Sequence, residues 1–230
     1  MDLSFKKLND SQGYIEIDSR ATSVNLSGNN LNDLERFFGW GDVTILDLSF
    51  NRLDISSPYF PTLPNLQTLN LSWNNLPNEE EDFLNLRQFL SKFPALTSIN
   101  FSHNKITPKH YPALLDALSS LPNLWAIDLS ESGLGNGDGS FFIALVKSCQ
   151  NLTEIYFEPA ERCNQQMLDA LAKISVETGR DLKFKSKIGD KAQINPKFEE
   201  LKKHYQQQPS PDPESAAVVK RRREDASQRF

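Results

Sequence analysis

The residues of this chain whose types could do covalent or metal chemistry are few: His103, His110 and His204, Cys149 and Cys163, and the acidic run Glu79 to Asp82. Structural and catalytic zinc sites draw their ligands from short, fixed spacings, and these histidines follow none, so no metal and no cofactor is expected. The stretch GNGDG (135–139) is rich in glycine but lacks the lysine and hydroxyl with which a phosphate loop holds its ligand, and it reads as a turn leading into a helix. Glu79 to Asp82 follows Asn78 and reads as the capped, acidic first turn of a helix, where negative charge suits the helix dipole. No nucleophile, base and orienting group converge in the pattern, so the chain is read as a non-enzyme.

The remaining candidates work by contact. Phe50, Trp73 and His103 stand at the same place in the similar segments VTILDLSFNRL (43–53), LQTLNLSWNNL (66–76) and LTSINFSHNKI (96–106). The full column runs Gly28, Phe50, Trp73, His103, Glu131 and Pro159. Neighbouring strands lie about 4.8 Å apart, so the three rings should form one patch, and exposed rings on a rigid surface are the usual anchors of protein interfaces. Two readings stay open: the rings complete the packing of a shallow edge, or they present a binding face. Asp128, Glu131, Glu154 and Glu158 around Tyr156 form a second constellation, an acidic bowl that would steer a basic partner or be an ordinary solvated face.

Such columns exist only if the chain repeats. The same spacing opens at ATSVNLSGNNL (21–31), returns at LWAIDLSESGL (124–134), fades at LTEIYFEPAE (152–161) and leaves a remnant in DLKF (181–184). Side chains alternate faces along a strand, so Val24, Leu46, Leu69, Ile99, Ile127 and Ile155 point inward while their flanking residues point out. Steps between them are 22, 23, 30, 28 and 28 residues by subtraction. The short steps leave room for irregular backbone or a brief helix such as NDLERFF; the long ones carry the helices FLNLRQFL, YPALLDALSSL, SFFIALVKSC and QMLDALAKI, the second started by Thr107 and Pro108. One coil cannot bury its own apolar residues, whereas stacked coils can.

Asn29, Asn51, Asn74 and Asn104 recur where a buried amide can satisfy the backbone of a tight turn; Ser132 and Ala160 replace them later, so the asparagine ladder lapses. Leu63, Phe93, Leu121 and Cys149 share a further inward position, which makes Cys149 an apolar core residue. The segments SFKKL and GYIEI are expected to form a hairpin over the first repeat, giving a cap at 1–20, an array at 21–184, a capping helix region at 185–208 around PKFEELKKHYQQQ, and a tail at 209–230 too poor in apolar residues to fold.

A net charge of −5 argues against a nucleic-acid binder and favours a protein partner with a basic surface. No apolar run approaches the roughly 18 residues of a membrane span, and MDLSFKKLND lacks the apolar stretch of a signal peptide, so the mature chain is expected to begin at Met1. Two cysteines indicate no disulfide framework, and a cytoplasmic, monomeric protein is expected. Sequons at Asn25, Asn70, Asn100 and Asn151 come from the repeat itself, and KRRR (220–223) could direct nuclear import.

LDLSFNRL and LNLSWNNL resemble the leucine-rich repeat consensus over roughly residues 21–184. The longer steps are similar to the ribonuclease-inhibitor type and the shorter ones to shorter classes; the loss of asparagine departs from both. The resemblance implies an α/β solenoid with a parallel β-sheet on its concave face and helices on the convex face of the longer repeats. It also implies protein binding on the concave face, with occlusion of an enzyme's active site as one mode, and no catalysis. The mixed repeats and polar tail ending in Phe230 are also similar to the leucine-rich-repeat effectors that Legionella-type pathogens translocate into host cells. A eukaryotic cytosolic or nuclear adaptor is the alternative.

Overall fold

The inward positions found in the sequence become the rungs of one sheet. In a computed structural model of the chain, described over residues 1–8, 13–76, 85–134, 139–157, 163–188 and 191–207, strands β1 (Ile15–Glu16), β2 (Ser23–Asn25), β3 (Phe37–Phe38), β4 (Ile45–Asp47) and β5 (Thr68–Asn70) precede the first helix, α1 (Leu86–Leu90). Then follow β6 (Ser98–Asn100), α2 (Tyr111–Ser119), β7 (Ala126–Asp128), α3 (Ser140–Ser148), β8 (Glu154–Phe157), α4 (Gln165–Thr178), the strands β9 (Lys183–Ile188) and β10 (Lys191–Ile194), and α5 (Pro196–Gln207). The main sheet runs β10-β9-β8-β7-β6-β5-β4-β2, parallel throughout except for the antiparallel β9–β10 pair. Val24, Leu46, Leu69, Ile99, Ile127, Ile155 and Phe184 pair in register, so DLKF opens a full strand.

All seven are buried, as are Leu63, Phe93, Leu121 and Cys149. Helices α1 to α5 each pack on the next along the array. The Thr107–Pro108 start is a 3-10 turn (Pro108–His110) in which the Thr107 N–H donates to His110 Nδ1 at 3.0 Å. The sheet ends where β10 folds back on β9, and α5 locks this end: the Lys202 ammonium donates to Asp181 at 2.8 Å, the Leu182 carbonyl at 2.9 Å and Glu199 at 3.2 Å. The expected cap at Asn78 and the acids Glu79 to Asp82 lie outside the described residues, as does the tail 209–230.

Two expectations at the N-terminal end are corrected. NDLERFF contains no helix: Phe37–Phe38 is a strand paired in parallel with Ile15–Glu16. A 22-residue step is too short to wind a helix and return, so the backbone satisfies itself against the preceding coil, Ile17 N–H donating to the Phe38 carbonyl at 2.8 Å. The chain can cross so closely because Gly41, at φ +49°, leaves a space where a Cβ would lie 2.8 Å from the Ser19 carbonyl oxygen.

Nor do SFKKL and GYIEI form a hairpin. Met1–Leu8 runs parallel to β2, with Leu3 N–H to Asn25 O at 2.8 Å and Phe5 N–H to Ser27 O at 2.9 Å. MDLSFKKL matches LDLSFNRL of a later coil almost residue for residue, so this stretch is itself a coil of the array.

Candidate functional site on the sheet face

In six turns along the array the residue at the ring position lies in the left-handed region: φ is 52° at Phe5, 69° at Gly28, 54° at Phe50, 57° at Trp73, 55° at His103 and 51° at Glu131. For a residue with a Cβ this conformation costs about 1–2 kcal/mol, so something must hold it. The N–H groups of Phe50, Trp73 and His103 donate to the carbonyls of Ser72, Ser102 and Ser130 in the next coil, at 3.0, 3.2 and 2.9 Å.

Beneath the rings the asparagines close the turns. Asn51 Oδ1 accepts from the N–H groups of Asn29 and Leu31, and its amide donates to the carbonyls of Leu26, Leu48 and Ser49. The ladder ends at Ser132, whose hydroxyl donates only within its own coil, to Leu129 O, while Ile106 N–H takes Ser132 O instead.

Because these turns share one conformation, the rings align. Phe50 and Trp73 stack at 5.2 Å with 11° between planes, and Trp73 and His103 at 4.1 Å with 15°. Phe50 nevertheless stays 50% exposed and Trp73 47%. Stacking covers the ring faces that meet one another, which is the packing reading; the exposed remainder is the surface that the binding reading needs. Phe5, 69% exposed, was hidden in the sequence by the expected hairpin. Its ring occupies the space above Gly28, where a Cβ would lie 2.3 Å from it. The cue was the likeness of MDLSFKKL to LDLSFNRL.

The acidic bowl is not what the sequence suggests. Asp128 is 5% exposed, and its carboxylate accepts the Ser130 N–H at 3.0 Å. It occupies a column with Asp2, Asn25, Asp47, Asn70 and Asn100, each of which closes the same turn onto the residue two ahead. It is a turn residue, and as a contact residue it is withdrawn. Glu131 is exposed and continues the ring column beyond His103.

Glu154 accepts from Lys185 Nζ at 2.7 Å and from the Tyr156 hydroxyl at 3.1 Å, with Lys183 Nζ at 3.8 Å; Lys185 also donates to the Tyr156 oxygen at 3.2 Å. Burial alone would raise the Glu154 pKa, but the hydrogen bonds from Lys185 and Tyr156 and the two lysine charges outweigh it and hold the carboxyl below its ordinary value. Two lysines against one glutamate leave this cluster cationic. The cue was DLKFK, where strand alternation turns Lys183 and Lys185 to the face of Glu154 and Tyr156. Glu158 lies outside the described residues. Trp125, 43% exposed immediately before β7, is another exposed ring that sequence reasoning passed over.

Burial pushes the Cys149 thiol up to about 11 against the opposing charge of Arg180, which fits a core residue. No three His, Cys, Asp or Glu side chains among the described residues converge as a metal site. No described helix is long and apolar enough to cross a membrane.

Comparison with known proteins agrees with this architecture. The family profile described as Leucine Rich Repeat matches residues 65–88, the coil that carries Trp73. No curated protein sequence matches the chain. Among solved structures the chain is similar to the leucine-rich repeat-containing protein LegL7 from Legionella pneumophila, with 19% identity over 86% of this chain and 76% of that one and a TM-score of 0.52. At that identity the likeness concerns the fold. A repeating consensus, an in-register parallel sheet backed by helices and a buried asparagine ladder together give this chain the fold of a leucine-rich repeat solenoid.

Proposed function

We propose that the protein binds a folded partner protein on its sheet face without catalysis, and that Phe50, Trp73 and His103 form the apolar anchor. The supporting observation is their geometry: three stacked rings, with Phe50 and Trp73 about half open to water and His103 partly buried, each held on the same left-handed turn. A surface already ordered loses little entropy on binding, and rings are the residues that most often dominate interface energy. Glu131, Glu154 and Tyr156 form the polar continuation. If the partner is an enzyme, a rigid surface laid across its active site would inhibit it by occlusion alone.

The test is capture from a cell lysate, with bound proteins identified by mass spectrometry. Trp73→Ala, with circular dichroism and melting unchanged, should lose specific proteins that the intact chain retains. Identical capture removes Trp73 from the site.

A protein of similar fold from Legionella pneumophila supports placing this one as a translocated bacterial effector, and KRRR (220–223) supports the alternative of a nuclear or cytosolic adaptor. Deleting 209–230 separates the two: loss of translocation in a secretion-reporter assay favours the first, and loss of nuclear import alone the second.

A further inference from the structure

One position on the sheet face is filled by two residue types that serve its turn equally well. Asp2, Asp47 and Asp128 close the turn with a carboxylate, and Asn25, Asn70 and Asn100 close it with a carboxamide, each accepting the N–H of the residue two ahead. The turn therefore does not require an amide at any of these places. What the amide adds is an NH2 group, and because its oxygen faces the backbone N–H, the nitrogen points away from the turn.

Asn70 and Asn100 hold this group beside the ring column. Asn70 Oδ1 accepts from Ser72 N–H at 3.1 Å, and Trp73 is the next residue. Asn100 Oδ1 accepts from Ser102 N–H at 2.8 Å, and the Ser102 carbonyl takes the Trp73 N–H at 3.2 Å. Both side chains are partly exposed, and among the described residues their amide nitrogens have no hydrogen-bond partner. The same is true of the exposed Trp73 indole N–H, whereas that of buried Trp40 donates to Phe37 O at 3.1 Å. Three open donors thus stand on two adjacent coils, next to the exposed parts of the Phe50 and Trp73 rings.

We infer that these donors receive a proline-rich segment of the partner protein, lying along the array in the polyproline II conformation. Its carbonyls meet Asn70, Asn100 and Trp73, and its pyrrolidine rings lie against the exposed parts of Phe50 and Trp73. The inference rests on the binding reading above and assigns the partner's chemistry. An ordinary segment brings one N–H for every carbonyl, and an N–H buried against a row of donors is left unsatisfied; proline brings the carbonyl alone. Aromatic surfaces are also where such segments dock, because the ligand is ordered before it binds. The dimensions agree: polyproline II advances about 9.3 Å per three-residue turn and two coils of the sheet about 9.6 Å, so one face of the segment meets every second coil. Asp47 ends the donor row on the Phe50 side, where its charge opposes an acidic residue in the ligand.

The test uses the full chain carrying Trp125→Phe. Of the tryptophans, Trp40 is buried, so Trp73 then reports as the exposed indole. Decaproline and a glycine–serine peptide of equal length are titrated against it. Decaproline should perturb Trp73 fluorescence saturably, and the glycine–serine peptide should leave it unchanged at the same concentrations. Asn70→Asp and Asn100→Asp keep an acceptor for the turn, as Asp47 does, but set an oxygen against the ligand carbonyl. Each should weaken decaproline binding about tenfold with circular dichroism unchanged. Asp47→Asn lengthens the donor row by one coil and should tighten binding about threefold, a gain that misfolding does not imitate.

No response to decaproline, an equal response to the glycine–serine peptide, or affinities unaltered in all three variants overturns the inference and leaves the rings as an anchor. The wider binding reading falls separately, if Trp73→Ala captures the same lysate proteins as the intact chain.

Discussion

Replacing Asn51 with alanine should cost about 3–5 kcal/mol, a large share of the 5–15 kcal/mol that holds most domains together. Asn51 is 5% exposed and makes five bonds: it accepts from Asn29 N–H at 3.1 Å and Leu31 N–H at 2.9 Å, and donates to Leu26 O and Leu48 O at 3.0 Å and Ser49 O at 3.1 Å. Alanine leaves two N–H groups of the neighbouring coil without this acceptor, at about 1–3 kcal/mol each, with a further penalty for the carbonyls and the small void. The carbonyls can be partly satisfied otherwise, which sets the upper bound. Equilibrium unfolding in urea measures the change, with a constant slope showing that the unfolded surface is unaltered. The turn closed by Asn51 carries Phe50, so the stack on Trp73 should loosen and tryptophan fluorescence should shift before global unfolding. A loss below about 1 kcal/mol with an unchanged spectrum would refute the claim that the ladder fixes the turns and hence the rings.

Glu154 and Lys185 make a pH-dependent contribution. The folded Glu154 pKa lies below its ordinary 4.5, so its stabilisation is present above that value and lost as pH falls through the lower folded value. Lys185 is raised above 10.5 because its bonds to Glu154 and Tyr156 outweigh burial, so its share is full below 10.5 and lost as pH rises through the folded value. Glu154→Gln should flatten the acid limb of the stability profile in pH-dependent melting; an unchanged limb would show that the pair contributes nothing. For the thiols, Cys163 should react with a thiol reagent at neutral pH in the native protein, and Cys149, buried and pushed to about 11, only after denaturant is added. Two equally fast thiols in native buffer would contradict that burial.

What the amino-acid order carries by itself is the period and the inward face. Leu, Ile and Val at a fixed spacing must be buried, and a repeat has one way of burying them, so the core and the ring column follow from local pattern and strand geometry. Phe50, Trp73 and His103 were legible because they share one position in one template. The N-terminal coil carried the same template, yet the turn chemistry expected around residues 9–12 obscured it.

Tertiary structure decided whatever depends on partners in the neighbouring coil. Asp128 and Glu131 are both acidic residues in one segment. Only the stacked turns show that the first is consumed by a backbone N–H while the second faces solvent. Glu154 is acidic in the sequence and neutralised in the fold, because Lys183 and Lys185 arrive from a strand about 30 residues later. The strand pattern tells which way a side chain points. The charge it meets there belongs to the adjacent coil and is set by register.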